Sequence, residues 1–167
     1  MGSNELAGRF ADRHVPDPRK NVAAFVHDGN SRAKPLTGPV PHPGGVLPDA
    51  RKEFTEANVT LAVISGADIP TIKDLRVDAA AYINGMAEVI GELRRYILDA
   101  LRRDAVDGCQ EFMDVMDEMY GVLVTIDFPE GVTSGLRHNT DAMRGVLERT
   151  RGDLTMALRQ HSLEARL

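Results

Sequence analysis

The sequence has no tryptophan and only 5% aromatic residues, although 43% of it is apolar. A core must therefore be built from Leu, Val, Ile, Ala and Met, which suits packed helices better than aromatic-rich β-sandwiches. Cysteine is nearly missing as well: Cys109 is the single one. It can form no intrachain disulfide, and a lone thiol fits a reducing compartment. Free cysteine usually behaves as a small buried apolar side chain, and Cys109 is expected to do so. No run approaches the roughly 18 consecutive apolar residues of a membrane span. The N-terminus carries no apolar stretch after basic residues, which argues against a signal peptide. The protein is expected in the cytoplasm. An excess of positive charge is absent too. The formal net charge is −5, so a nucleic-acid site has to be a local basic patch and not a basic domain.

Proline divides the chain. Residues 1–49 hold Pro16, Pro18, Pro35, Pro39, Pro41, Pro43 and Pro48, seven of the nine prolines, together with six glycines. Proline removes a backbone donor and blocks helix interiors, so this segment reads as an irregular or disordered arm. Its one compact apolar run, Val22 to Val26, is too short to be a core.

From Asp49 onward the texture is helical. Asp49 is a candidate cap for a helix to about Ser65, with Phe54, Ala57, Leu61 and Ile64 on one apolar face. Gly66 is a natural stop, and Thr71–Leu75 allows one further turn. Asp78 caps the longest pattern, predicted over 79–103: Ala79, Tyr82, Ile83, Met86, Val89, Ile90, Leu93, Ile97 and Leu101. A third helix is predicted over 106–126, with Phe112, Val115, Met116, Met119, Leu123 and Ile126 on its apolar face. The run Asp127-Phe128-Pro129-Glu130-Gly131 breaks it. A fourth runs from Ser134, a candidate cap, to Glu164, using Leu136, Met143, Val146, Leu147, Leu154, Ala157 and Leu158. The fold expected is all-α, an antiparallel bundle of about four long helices over residues 50–167, preceded by the arm.

Two acidic pairs carry potential chemistry. Glu53 and Glu56 are three apart on the first helix, and Glu88 and Glu92 four apart on the second. Both spacings place the pair on one side of a helix. Packed side by side, the two helices would bring four carboxylates together, an oxygen-only set suited to Mg²⁺ or Mn²⁺. The plainer reading is that acidic pairs at helical spacing face solvent. A di-iron bundle would need Glu-x-x-His pairs, and the sequence has none. The basic residues Arg51, Lys52, Arg94 and Arg95 lie on the same two helices and are candidate phosphate contacts. Arg144, Arg149, Arg151 and Arg159 lie on the last helix, where i,i+4 pairing of Glu148 with Arg144 and of Asp153 with Arg149 is the competing reading. His14, His27, His42, His138 and His161 are scattered, which suits isolated surface histidines. There is no zinc spacing, Gly-rich phosphate loop or Ser-His-Asp order.

The run from Asp78 through Tyr82, Gly85, Ala87, Glu88, Gly91, Glu92 and Leu93 to Arg95 resembles a segment of the translin family, D-x-x-x-Y-x-x-G-x-A-D/E-x-x-G-E-L-x-R. Upstream, Lys52-Glu53-Phe54-Thr55-Glu56-Ala57 is similar to that family's Q-E-Y-x-E-A. Tyr120-Gly121, Leu136-Arg137 and Val146 to Glu148 fit its remaining helices, so the resemblance covers about residues 50–165. It implies an all-helical subunit of a barrel-like homo-oligomer that binds RNA or single-stranded DNA. In the family's catalytic branch, the translin-associated factor X type, it implies a Mg²⁺-dependent endoribonuclease. The matching metal and catalytic positions are Glu53, Glu56, Glu88 and Glu92. Glu88 stands where that branch usually has Asp, one methylene shorter. The family's long N-terminal helices have no counterpart in the Pro/Gly-rich segment, which is expected to be divergent, truncated or frame-altered. Three readings follow: a nucleic-acid-binding module, a metal-dependent endoribonuclease, and a helical assembly subunit without activity.

Overall fold

The computed structural model describes residues 46–126 and 135–166. Five helices make up most of these residues: α1 Val46–Ser65, α2 Ile72–Leu75, α3 Ala79–Leu101, α4 Cys109–Leu123 and α5 Leu136–Glu164. No strand occurs among the described residues. No helix among them is long and apolar enough to cross a membrane. The expected all-α bundle is therefore the fold observed. Most of the N-terminal arm, the break at 127–131 and the Ser134 cap lie outside the described residues.

α1 begins at Val46, three residues before the predicted cap. Asp49 sits inside the first turn, where a carboxylate still favours the positive end of the helix dipole. Pro48 does not prevent this start, because the first turn's amides have no intrahelical acceptor to lose. The helix ends at Gly66 as predicted. Gly66 takes a left-handed φ of 70°, its N–H bonds to the Val63 carbonyl, and the Ala67 N–H bonds to the Ala62 carbonyl. This pair of bonds is a Schellman closure.

The buried face of α1 differs from the one predicted. Thr55, Val59, Ala62 and Val63 face the core, whereas Phe54 and Leu61 are 50% and 67% exposed and Ala57 is exposed. Ile64 packs only partly against the core. The reason lies on α3. A Cβ placed on Gly85 would stand 2.7 Å from Thr55 Cβ and 2.8 Å from the Lys52 carbonyl oxygen. The two backbones approach so closely that only a small side chain fits between them. Thr55 takes that place, its hydroxyl donating to the Arg51 carbonyl at 3.0 Å, and the larger Phe54 is turned outward.

The connector between α1 and α3 is tied down at several points. Thr71 and Asp74 form a reciprocal capping box around the single turn of α2. The Tyr82 hydroxyl donates to the Pro70 carbonyl at 2.9 Å, and Ile69 is buried. Asp78 caps α3, accepting from the Ala81 N–H at 2.9 Å.

α3 is the central element. It packs against α1, α4 and α5, and α4 also packs against α5. Every residue from Ala81 to Ala87 is buried, which is more than one stripe and reflects cover on several sides. α4 folds back along α3, with Phe112 meeting Tyr96 edge to face at 4.9 Å. α5 then runs in the same sense as α3. Asn139 Nδ2 donates to Asn84 Oδ1 near the start of both helices, and Arg94 reaches Thr150 and Asp153 further along. The chain thus goes up, down and up through α3, α4 and α5, with α1 laid across α3. α4 and α5 start later than predicted, each after a glycine in the left-handed region, Gly108 (φ 78°) and Gly135 (φ 92°).

The Gly85 contact yields a differential test. Alanine normally favours a helix interior over glycine by ~1 kcal/mol. Gly91→Ala, with no neighbour within 4 Å of the added methyl, should therefore raise Tm. Gly85→Ala must push α1 away from α3 and should lower stability by ~1–3 kcal/mol, as read by urea unfolding. Equal effects of the two substitutions would show that α1 does not sit on Gly85.

Candidate functional site

The crossing of α1 over α3 decides which polar groups meet. Lys52, next to the contact, extends its ammonium to 2.8 Å from Glu88 Oε1. Glu56, one turn further along α1, is half-buried beside the same stretch of α3. Its carboxyl pKa is raised, first by burial, then by the negative charges of Glu88 and Glu92. Lys52 opposes that rise, and Glu53 adds slightly to it. Three of the four predicted carboxylates, Glu56, Glu88 and Glu92, therefore share one electrostatic site that spans α1 and α3. Glu53 is exposed at its edge. The Lys52 ammonium is itself held above its usual pKa, chiefly by the hydrogen bond to Glu88 and against the effect of burial.

The predicted phosphate contacts are divided by their surroundings. Arg94 is drawn into the bundle. It donates to the Thr150 hydroxyl at 3.0 Å and pairs with Asp153 at 2.8 Å, with its side chain 22% exposed. It is a clamp between α3 and α5. Arg95, one residue on, is 75% exposed and makes only a long contact, 3.5 Å, with Glu92. Arg51 spans to Asp78 at 3.3 Å, and Lys52 is held by Glu88. On α5 the predicted i,i+4 pairs are replaced. Glu148 pairs with Arg151, which also chelates Asp117 of α4, and Asp153 belongs to Arg94. Sequence spacing favoured local partners, but packing brings acids from other helices within reach. Arg144 and Arg149 remain exposed.

The other candidate groups are structural. Cys109 is buried, its thiol donating to the Ala105 carbonyl. Burial pushes its pKa up, away from a reactive thiolate. His161 lies 3.6 Å from Asp104, and His138 is exposed. His14, His27 and His42 are outside the described residues.

Carboxylate oxygens are the donor type that a hard divalent ion takes, but here Glu88 is paired with Lys52 and Glu92 contacts Arg95. Their present arrangement is not closed on an ion: among the described residues, no three His, Cys, Asp or Glu groups are placed to hold a metal together. Lys52 is the cation that Glu88 meets.

Glu56 supplies a pH test. Its folded-state pKa is raised, so the folded protein holds this proton more tightly than the unfolded chain does. The resulting stability is present below the ordinary glutamate range and is lost as pH rises through the raised pKa. Glu56→Gln should accordingly raise Tm at pH 7.5, with the difference from wild type shrinking toward pH 4. A Tm difference independent of pH would contradict the crowding of Glu56 by Glu88 and Glu92.

Comparison with known proteins agrees with this architecture. No family model matches the sequence. An uncharacterized protein of Methanocaldococcus jannaschii is 30% identical over 156 residues, spanning 89% of this chain and 70% of that protein. The aligned part is longer than the stretch from residue 50 to the end, so it takes in part of the Pro/Gly-rich segment. Among solved structures, AfC3PO in complex with duplex RNA superposes with a TM-score of 0.63 at 31% identity, over 84% of this chain and 68% of that one. A crystal structure of AfC3PO gives the same TM-score at 28% identity, over 94% of this chain and 70% of that one. At these identities and coverages the chain belongs to the family that contains AfC3PO and the M. jannaschii protein.

Proposed function

We propose that this chain is an RNA-binding subunit of translin type that works as part of a homo-oligomer. The observation that carries the reading is the similarity to AfC3PO, whose structure has been solved with duplex RNA. The translin-like motifs on α1 and α3 support it, because they coincide with the two helices whose crossing builds the charged site.

The chain's charge requires binding through placed residues and not through bulk attraction. Arg95 is the best placed of the predicted contacts: it is exposed, weakly paired and adjacent to Glu92. An arginine in this state can exchange its carboxylate for an RNA phosphate at little cost. Arg94 is committed to Thr150 and Asp153 and contributes to RNA binding only by holding α3 against α5.

A second reading is favoured by one specific feature. Glu56 lies within electrostatic reach of Glu88 and Glu92, and Glu92 contacts Arg95 at 3.5 Å, so a phosphate held by Arg95 would stand next to Glu92. In this reading the protein is a Mg²⁺-dependent endoribonuclease, and Glu56, Glu88 and Glu92, with Glu53 at the edge, hold the ion. A bound Mg²⁺ would supply Lewis acidity toward the scissile phosphate and lower the pKa of water. The chain's own share would be to present the carboxylates and to hold the phosphate in place.

Both readings are open to direct measurement. Labelled single-stranded and duplex RNA should bind, with affinity falling as salt rises. Arg95→Ala should weaken binding and reduce the slope of log K against log salt by about 1 without lowering Tm. Arg94→Met should lower Tm. Absence of RNA binding at low salt would overturn the proposal. In the same assay, cleavage that needs Mg²⁺, stops with EDTA and is lost in Glu56→Ala and Glu88→Ala would establish the nuclease reading. Binding without cleavage would leave the RNA-binding reading alone.

A further inference from the structure

α1 carries two apolar faces, and the core uses one of them. Thr55, Val59, Ala62 and Val63 point inward. Ala50, Phe54, Ala57 and Leu61 form a second stripe along the opposite side, where side chains three and four positions apart fall in line. All four are exposed, Phe54 by 50% and Leu61 by 67%. The same alternation of three and four is the rhythm by which a helix seats a partner along a seam. Single exposed apolar residues are ordinary, but a continuous stripe that includes an aromatic marks a surface for another element to cover. One edge of the stripe is acidic, since Asp49 and Glu53 are exposed beside Ala50 and Phe54. The basic neighbours Arg51 and Lys52 are already paired, with Asp78 and Glu88.

We propose that residues 19–26 of this same chain dock on the stripe, with the apolar run from Val22 to Val26 covering Phe54, Ala57 and Leu61, and with Arg19 and Lys20 meeting Asp49 and Glu53. Composition, charge and tether length select this occupant. The run Val22-Ala23-Ala24-Phe25-Val26 is the compact apolar stretch of the segment that precedes α1, and burying it against Phe54 and Leu61 removes apolar surface from water on both sides. Arg19 and Lys20 lie directly before the run, so opposite charge sets its direction along the helix. The run is also joined to the helix that it covers. Nineteen residues separate Val26 from Val46, where α1 begins. Extended, they reach about 60 Å, whereas the whole of α1 is about 30 Å long, so the run can reach any point of the stripe. A segment tethered over such a span has an effective concentration on the order of millimolar. A second copy of the chain at micromolar concentration does not approach that. The contact is independent of whether the chain binds RNA.

The test is proximity cross-linking of the full chain carrying Ala23→Cys and Ala57→Cys. A short bis-maleimide is applied to an equal mixture of protein grown with natural and with heavy nitrogen. Peptides that join positions 23 and 57 should be wholly light or wholly heavy, and Phe25→Ser in the same background should remove most of their yield. Cys109 is buried, and a link through it is distinguished by peptide mass. Thermal unfolding without the added cysteines is an independent check. Phe25→Ser and Leu61→Ser should each lower Tm, and the two together should lower it no further than the larger single effect, because both remove one contact. Links between light and heavy chains would put a second copy on the stripe and overturn the proposal. No link between positions 23 and 57, together with an unchanged Tm for Phe25→Ser, would overturn it as well.

Discussion

The contact between Thr55 and Gly85 fixes the rest of the arrangement. Helix axes ordinarily pack 8–10 Å apart, with side chains between them. A glycine on one helix and a threonine on the other allow a closer approach, and the Lys52 carbonyl comes down on α3 as a result. That single constraint sets the rotation of α1. It turns Val59, Ala62 and Val63 inward, leaves Phe54 and Leu61 outside, and sends Lys52 and Glu56 toward Glu88 and Glu92. The site is a consequence of how tightly two backbones pack.

Charge is arranged differently on the two sides of α3. Toward α5 and α4, ion pairs are matched across helices: Arg94 of α3 with Asp153 of α5, and Arg151 of α5 with Asp117 of α4. These surface pairs contribute little individually, but they set which faces of the bundle meet. Toward α1, Lys52 pairs with Glu88 and Arg51 with Asp78, while Glu56 is crowded by Glu88 and Glu92. Crowding of this kind opposes stability, and it is a pattern common at functional surfaces.

Much of the fold was legible because its signals are local. The apolar period of α3, the Asp78 cap, the Gly66 stop and the single turn after Thr71 all follow from neighbouring residues. The faces of α4 and α5 were legible for the same reason. The face of α1 was not, since Phe54, Ala57, Leu61 and Ile64 form a valid helical stripe and nothing local reveals that Gly85 lies opposite Thr55. The partners of the arginines were hidden likewise: Asp153 reaches Arg94 across 59 positions, a distance that helical spacing rules do not address. Spacing suggested that Glu53, Glu56, Glu88 and Glu92 converge; the structure puts Glu56 within electrostatic reach of Glu88 and Glu92 and leaves Glu53 exposed, and the pairing of Lys52 with Glu88 was not legible, because Lys52 was read as a phosphate contact.

The most direct test of the crossing as the origin of the site is a charge swap between α1 and α3. Lys52→Glu and Glu88→Lys should each lower Tm when introduced alone, because each adds repulsion at the crossing. Introduced together they should recover most of the loss, a coupling of ~1 kcal/mol for a partly exposed pair. A double variant no more stable than the sum of the two single changes would show that Lys52 and Glu88 do not meet, and with that the arrangement of α1 on α3 would fall.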